Sequence, residues 1–144
     1  MHIRTIALVL ACALFALLAG CSNGKTVTKN DFNITYTGFD PHVGEDFYLK
    51  VVEVASGDKV GESVANSTVP SAGFTLNIPD IIEEGKQYNV DFFADVDGNG
   101  TADLSPDGTP AGVDHTWRLT GTGTSTGLNL TFAHDTNWTN ITPF

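Results

Sequence analysis

KQYNVDFFADVDGNGTADLSPD, residues 86–107, contains the segment that decides the fold. Its first half alternates apolar side chains with others, which is the two-residue period of a β-strand that turns one face to a core. The residues expected on the core face are Tyr88, Val90, Phe92 and Ala94. The strand pattern ends at Asp95, where a run of aspartate, asparagine and glycine begins. The sequence therefore predicts a buried strand that leads directly into an acidic loop.

Short alternating segments also occur before and after this strand in the sequence. They cover residues 32–36, 47–55, 59–65, 74–78, 115–120 and 128–132. Beyond the first twenty residues, no apolar pattern with the 3.6-residue period of a helix is sustained. The spacing predicts an all-β fold, an antiparallel β-sandwich of about seven strands and immunoglobulin-like size. A small barrel is the alternative.

Three connections in this scheme are less regular. Pro79 is expected to end its strand, and residues 81–85 are expected to form a helical turn or a crossing loop. The segment GTGTSTG, residues 121–127, is expected to be a hairpin loop between the last two strands. Residues 137–144 form a polar and aromatic tail that is expected to close a sheet edge.

The start of the chain has the pattern of a secretion signal. A basic start precedes an apolar run, residues 6–18, that is too short for a permanent membrane helix. The run ends in Leu-Ala-Gly-Cys at residues 18–21, which resembles the lipobox of bacterial lipoproteins. The resemblance implies cleavage before Cys21 and acylation of Cys21, with diacylglycerol on its sulfur. The expected organisation is residues 1–20 as signal peptide, 21–30 as a lipidated flexible tether and 31–144 as a single β-sandwich domain.

The expected location of the protein and its net charge limit the kinds of partner that it can bind. An aspartate after the lipobox cysteine retains lipoproteins in the inner membrane of enteric-type bacteria, so Ser22 favours the outer membrane of the cell envelope. Once Arg4 leaves with the signal peptide, six Lys and Arg residues remain against 17 Asp and Glu residues, a formal charge of −11. Nucleic acid is therefore not an expected partner. The expected partners are the membrane, through lipid on Cys21, and a glycan or an envelope protein.

The acidic loop has the ligand pattern of a calcium site. Calcium is bound by six to eight oxygen atoms, several of them anionic. DVDGNG, residues 95–100, matches the first six positions of an EF-hand loop and also resembles the loops of dockerin modules. The resemblance implies side-chain ligation by Asp95, Asp97 and Asn99. It also implies a backbone carbonyl ligand from Thr101 and a ligand at Asp103 that acts through water.

The match fails at the twelfth position of the loop. Pro106 stands where an EF-hand has its bidentate glutamate, so another carboxylate must complete the site. The candidates are Asp103, Asp107 and Asp114. The alternative is a solvated turn, in which aspartate, asparagine and glycine are common. Because six of the 17 acidic residues lie between Asp91 and Asp114 and repel one another, we expect a structural calcium ion here.

The pair Asp114-His115 allows two interpretations. His115 could form a transition-metal or acid–base site with Asp114 and with His42 or His134. Alternatively, Asp114 and His115 support the calcium loop while the neighbouring Trp117 faces the core. No two histidines have the close spacing of a metal-binding motif, which favours the second interpretation.

No motif in the sequence assigns a reaction. A nucleophile elbow, a phosphate loop and a dinucleotide fingerprint are all absent from it. We therefore expect a lipid-anchored binding or structural module of the envelope rather than an enzyme. The alternatives are a metal-dependent extracytoplasmic enzyme that uses Asp114 and His115, and a periplasmic protein that binds or senses ions.

Overall fold

The computed structural model describes residues 26–63, 68–103, 114–134, 139 and 141. Seven strands lie within these ranges: β1 (Lys29–Thr37), β2 (Asp46–Glu53), β3 (Lys59–Ser63), β4 (Phe74–Glu83), β5 (Gln87–Asp95), β6 (His115–Thr122) and β7 (Leu128–Ala133). A short 3₁₀ helix, Asp40–His42, follows β1. The described part of the chain contains no helix long and apolar enough to cross a membrane. The predicted signal peptide, Cys21 and Asp107 lie outside the described residues.

The strands form two sheets. Sheet A has the order β4-β1-β7, and sheet B has the order β3-β2-β5-β6. Neighbouring strands are antiparallel in every pair except β1 and β7, which run parallel with Phe32 beside Leu128 and Thr37 beside Ala133. The predicted all-β sandwich with antiparallel strands is confirmed, and the β1–β7 pair adds one parallel contact to it.

The apolar faces of the two sheets form the core. The core face predicted for β5 is confirmed, since Tyr88, Val90, Phe92 and Ala94 are at most 1% exposed. Aromatic rings occupy the centre and contact one another edge to face, tilted or stacked: Tyr36, Phe39, Phe47, Phe92, Trp117 and Phe132. Burial of each such ring stabilises the fold by roughly 1.5–3 kcal/mol. Aromatic packing between the sheets therefore contributes substantially to the stability of the fold.

The expected end of the fourth strand at Pro79 is wrong. β4 continues through Pro79 to Glu83, so residues 81–83 are strand rather than a helical turn. Because β4 lies at the edge of sheet A, the missing N–H of proline removes no hydrogen bond from a central ladder. The register with β1 shifts at this point, and Asp80 has a positive φ of 56°, which marks a β-bulge.

The segment GTGTSTG, residues 121–127, is not a hairpin loop. β6 belongs to sheet B and β7 to sheet A, so the residues between them cross from one sheet to the other. Gly123 accepts a hydrogen bond from Gly85 N at 2.9 Å and donates one to Lys86 O at 2.8 Å. The crossing segment therefore packs against the turn between β4 and β5.

The outer face of sheet B is also partly buried. Asp91 is fully buried there, and Arg118 donates to its two carboxylate oxygens at 2.6 and 2.8 Å. The ring of Tyr48 stacks on Phe93 at 4.6 Å between centroids. Thr139 N donates to Thr116 O at 3.1 Å, so the part of the C-terminal tail that the structure describes lies beside the edge strand β6.

Candidate metal-binding sites

Two groups of potential metal ligands lie at one end of the sandwich, where β5 ends and β6 begins. Ala94 pairs with His115, so Asp95 and Asp114 are the next residues towards that end of the two strands. Successive side chains of an extended chain point to opposite faces. Asp114 therefore belongs to the outer face of sheet B, whereas His115 shares the core face with Trp117. This alternation separates an acidic site from a histidine site.

The acidic site consists of Asp95, Asp97 and Asp114. Each contributes a carboxylate oxygen, and these oxygens lie within 4.8 Å of one another. Asp95 and Asp114 are 3% and 2% exposed, and Asp97 is exposed. Among the described residues, no Lys or Arg forms an ion pair with any of the three. The site therefore concentrates negative charge that no cationic side chain of this part of the chain offsets.

The loop after β5 folds around the side chain of Asp95. Asp95 Oδ1 accepts hydrogen bonds from Gly98 N at 2.8 Å and Asn99 N at 3.2 Å, and Oδ2 accepts one from Gly100 N at 2.8 Å. Gly98 and Gly100 have φ values of 72° and 78°, in the left-handed region that glycine adopts without strain. The two glycines let the backbone turn its N–H groups towards the carboxylate.

Asp114 joins the two ends of the described loop. Its Oδ1 accepts a hydrogen bond from Val96 N at 2.9 Å, and its Oδ2 accepts one from Asp103 N at 2.8 Å. Burial raises the pKa of Asp114, these two backbone N–H groups lower it, and the charges of Asp95 and Asp97 raise it further. The surroundings of this carboxylate therefore favour a bound proton or a bound cation.

The other predicted ligands form hydrogen bonds within the loop. Asn99 Nδ2 donates to Asp97 Oδ2 at 2.9 Å and to Asp103 Oδ2 at 3.3 Å, and Asn99 Oδ1 accepts from Thr101 N at 2.7 Å. The structure thus brings Asp95, Asp97 and Asp114 together and places Asn99, Thr101 and Asp103 in the surrounding network. Asp107, the remaining predicted ligand, lies outside the described residues.

The histidine site consists of His42, His115 and His134. His42 Nε2 lies 2.8 Å from His115 Nδ1 and 2.8 Å from His134 Nε2. The last two nitrogens lie 3.3 Å apart. His42 and His134 are 2% and 5% exposed, and His115 is partly exposed. Three ring nitrogens therefore meet at one point near the end of the core.

Three different elements supply these histidines. His42 ends the 3₁₀ helix after β1, His115 begins β6, and His134 follows β7. The parallel pairing of β1 with β7 places Thr37 beside Ala133, and His134 N donates to Thr37 O at 3.0 Å. Glu45 Oε2 lies 2.6 Å from His42 Nδ1, on the side of the ring away from the other histidines. The 3₁₀ helix and the two strand ends thus fix the positions of the three rings.

Sequence reasoning favoured His115 as a support of the calcium loop, together with Asp114. The structure places Asp114 in that position, and it places His115 with His42 and His134. Spacing along the chain could not reveal this group, because 73 and 92 residues separate His42 from the other two. A general property of the fold could have pointed to this histidine group: the strand ends at one end of a sandwich bring together residues that are far apart in the sequence.

The chain matches no protein-family model, and it has no significant match among curated proteins or solved structures. Its functional assignment therefore rests on the chemistry of the two sites. The acidic site contains buried aspartates that could hold a metal ion, and the histidine site contains buried histidines that could do so. Oxygen ligands suit hard cations such as calcium, whereas imidazole nitrogens suit zinc and copper. The two sites are thus matched to different classes of ion.

Proposed function

We propose that this protein is a lipid-anchored module of the bacterial cell envelope, held to the outer membrane through Cys21 and stabilised by calcium at the acidic site. The observation that carries the proposal is the meeting of three carboxylates, two of them buried, with no Lys or Arg paired to them in the described chain. The loops at the calcium-bound end then bind a glycan or an envelope protein.

Calcium fits the acidic site on charge and on ligand type. Carboxylates this close repel one another, and burial away from water adds to that cost unless a cation is bound. The spacing of Asp95, Asp97 and Asn99 follows the EF-hand pattern. Asp114 contributes the further carboxylate that the pattern lacks at Pro106. The spacing of these residues along the chain and the positions of their carboxylates in the fold thus both support calcium.

The position of the acidic site favours display away from the membrane. β1 begins at Lys29, close to the predicted lipid tether, and its nine residues at about 3.3 Å each place its two ends about 26 Å apart. The histidine site follows its far end, Thr37, and the acidic site is adjacent through Asp114-His115. A lipid anchor on Cys21 therefore leaves the calcium-bound end free to contact partners.

Calcium-dependent stability tests the proposal. The full-length protein is purified in detergent and stripped of metal, and its thermal unfolding is followed by circular dichroism with calcium or with EDTA. Because calcium binds only the native loop, a concentration of 100 times Kd stabilises the fold by about 2.7 kcal/mol and raises Tm by about 10 °C. We expect the double variant Asp95→Asn/Asp97→Asn to lose this rise.

The matched control is Asp58→Asn, which neutralises an exposed aspartate in the turn before β3. It is expected to keep the full calcium response. If EDTA leaves Tm of the wild-type protein unchanged, the calcium proposal is wrong.

A metal-dependent enzyme that uses Asp114 and His115 as a pair is less well supported. The two side chains are neighbours in an extended segment, so they point to opposite faces and belong to different sites. Joint action on one substrate atom would require them to converge. The binding module is therefore the better interpretation of the acidic site.

A further inference from the structure

All three histidines outside the predicted signal peptide meet at one point. The sequence contains four histidines, and His2 belongs to the signal peptide. The other three come from the ends of three different elements, and their nitrogens lie 2.8–3.3 Å apart. We propose that His42, His115 and His134 form a binding site for a divalent transition metal ion, zinc or copper, separate from the calcium site.

Hydrogen bonds among the three rings do not explain their arrangement. Glu45 lies at His42 Nδ1, so His42 meets the other two rings through Nε2, which carries either one lone pair or one N–H. His115 Nδ1 and His134 Nε2 both lie 2.8 Å from that atom. One lone pair or one N–H forms one linear hydrogen bond well, and it cannot be directed at both partners at once. A metal ion removes this conflict, because it accepts a lone pair from each of the three nitrogens.

The distances suit a zinc-sized ion. Zinc–nitrogen bonds of about 2.0–2.1 Å at tetrahedral angles place the ligand nitrogens about 3.3 Å apart. His115 Nδ1 and His134 Nε2 already have this separation, 3.3 Å. The His42 ring needs to withdraw by roughly 0.5 Å to reach the same spacing. Three protein ligands then leave one position of a tetrahedral ion for water or another ligand.

The surroundings also match those of metal-bound histidines. Metal-bound histidines usually donate their second N–H to a carboxylate or a carbonyl oxygen, and Glu45 occupies that place behind His42. The rings of Phe39 and Trp117 border the site, with centroids 5.4–6.2 Å from the histidine rings in contact with them. Access for the ion lies on the side of His115, which is partly exposed.

Metal titration of the full-length, metal-free protein in detergent tests the inference. We expect one equivalent of zinc or copper to bind in the presence of millimolar calcium, because calcium prefers oxygen ligands. Cobalt bound in place of zinc is expected to show visible absorption bands of a tetrahedral, nitrogen-rich site. Copper is expected to quench the fluorescence of Trp117, measured in a Trp138→Phe background that removes the other tryptophan.

Substitutions assign the ligands. We expect His42→Gln, His115→Gln and His134→Gln each to lose the one-to-one binding step. Glu45→Gln is expected to lower zinc affinity by about tenfold, because Glu45 positions the His42 ring without contacting the ion. The matched control is Asp95→Asn/Asp97→Asn, which is expected to bind zinc and copper normally. Loss of calcium binding and loss of zinc binding are thereby distinguished.

Circular dichroism of each variant shows whether it is folded. If the glutamine variants fail to fold, the copper quenching and the cobalt spectrum of the wild-type protein still decide the question. Absence of any stoichiometric zinc or copper binding by the wild-type protein overturns the inference. Unchanged binding in any one of the three folded single-histidine variants overturns the assignment of that ligand set.

Discussion

At the level of single residues, the carboxyl group of Asp114 combines burial with two neighbouring negative charges. Burial raises its pKa, Val96 N–H and Asp103 N–H lower it, and Asp95 and Asp97 raise it further. The native protein therefore holds this proton more tightly than the unfolded chain does. In the metal-free protein, the stability that Asp114 contributes is fully present below the unfolded pKa of about 3.9 and is lost as pH rises through the native pKa.

Calcium is expected to show the opposite pH dependence. If calcium binds Asp114 as proposed, it competes with the proton for this carboxylate, so the rise in Tm on calcium addition should be small at about pH 4 and grow as pH increases through the raised native pKa. Thermal unfolding with calcium and with EDTA at a series of pH values measures this increment, the calcium-dependent rise in Tm. We expect Asp114→Asn to move the midpoint of the increment to lower pH. An unchanged midpoint would show that other carboxylates control the response.

At the residue level, the sequence could indicate groups of side chains that are close together along the chain. The spacing of Asp95 and Asp97 identified both as candidate ligands, and the structure places their carboxylates together. The convergence of His42 with His115 and His134 depends on which strand ends meet, and no local pattern contains that information. Alternation from the predicted strand 115–120 back to Asp114 separates Asp114 from His115, but it does not reveal which distant side chains each of them meets.

At the level of elements, the crossing segment between β6 and β7 depends on glycine for close packing. Gly127 has a φ of 95°, and a Cβ at this position would overlap the carbonyl oxygen of Asp31 in β1. A Cβ at Gly123 would overlap the carbonyl oxygen of Glu83 in β4. These two glycines therefore allow the segment to cross from sheet B to sheet A against the backbone of both strands.

Gly127→Ala is expected to destabilise the protein by about 3 kcal/mol or more, because left-handed strain and backbone overlap add. The matched control is Gly57→Ala, which has a similar φ of 76° but no atom near the added Cβ. The Gly57→Ala variant is expected to lose about 1 kcal/mol of folding free energy from backbone strain alone. Urea unfolding of the two variants measures both values. Equal losses would contradict the close packing of the crossing segment.

Element-level prediction from sequence found the strands but not their partners. The two-residue period located all seven strands because each turns one face to the core. The period carries no information about which sheet a strand joins, so β6 and β7 were expected to pair across a hairpin. Pro79 was expected to end β4 because the edge position of that strand was not visible in the sequence.

At the level of the whole molecule, the proposed lipid anchor on Cys21 can be tested directly. We expect the wild-type chain, expressed in a bacterial envelope, to incorporate labelled palmitate and to enter the detergent phase on Triton X-114 partitioning, because acyl chains provide stable anchoring. Cys21→Ala is expected to lose both properties. The matched control Ser22→Ala is expected to keep them. Labelling of the Cys21→Ala variant would show that the lipobox resemblance is misleading.

The parallel pairing of β1 with β7 has a mechanical consequence. If the chain is tethered to lipid through Cys21, tension between the membrane and a partner at the far end enters the domain at Lys29, along the axis of β1. β1 is the central strand of sheet A, with hydrogen bonds to β4 on one side and β7 on the other. A pull along its axis loads both ladders in shear, so many bonds share the force at once. The fold can thereby hold a partner under load without peeling open one bond at a time.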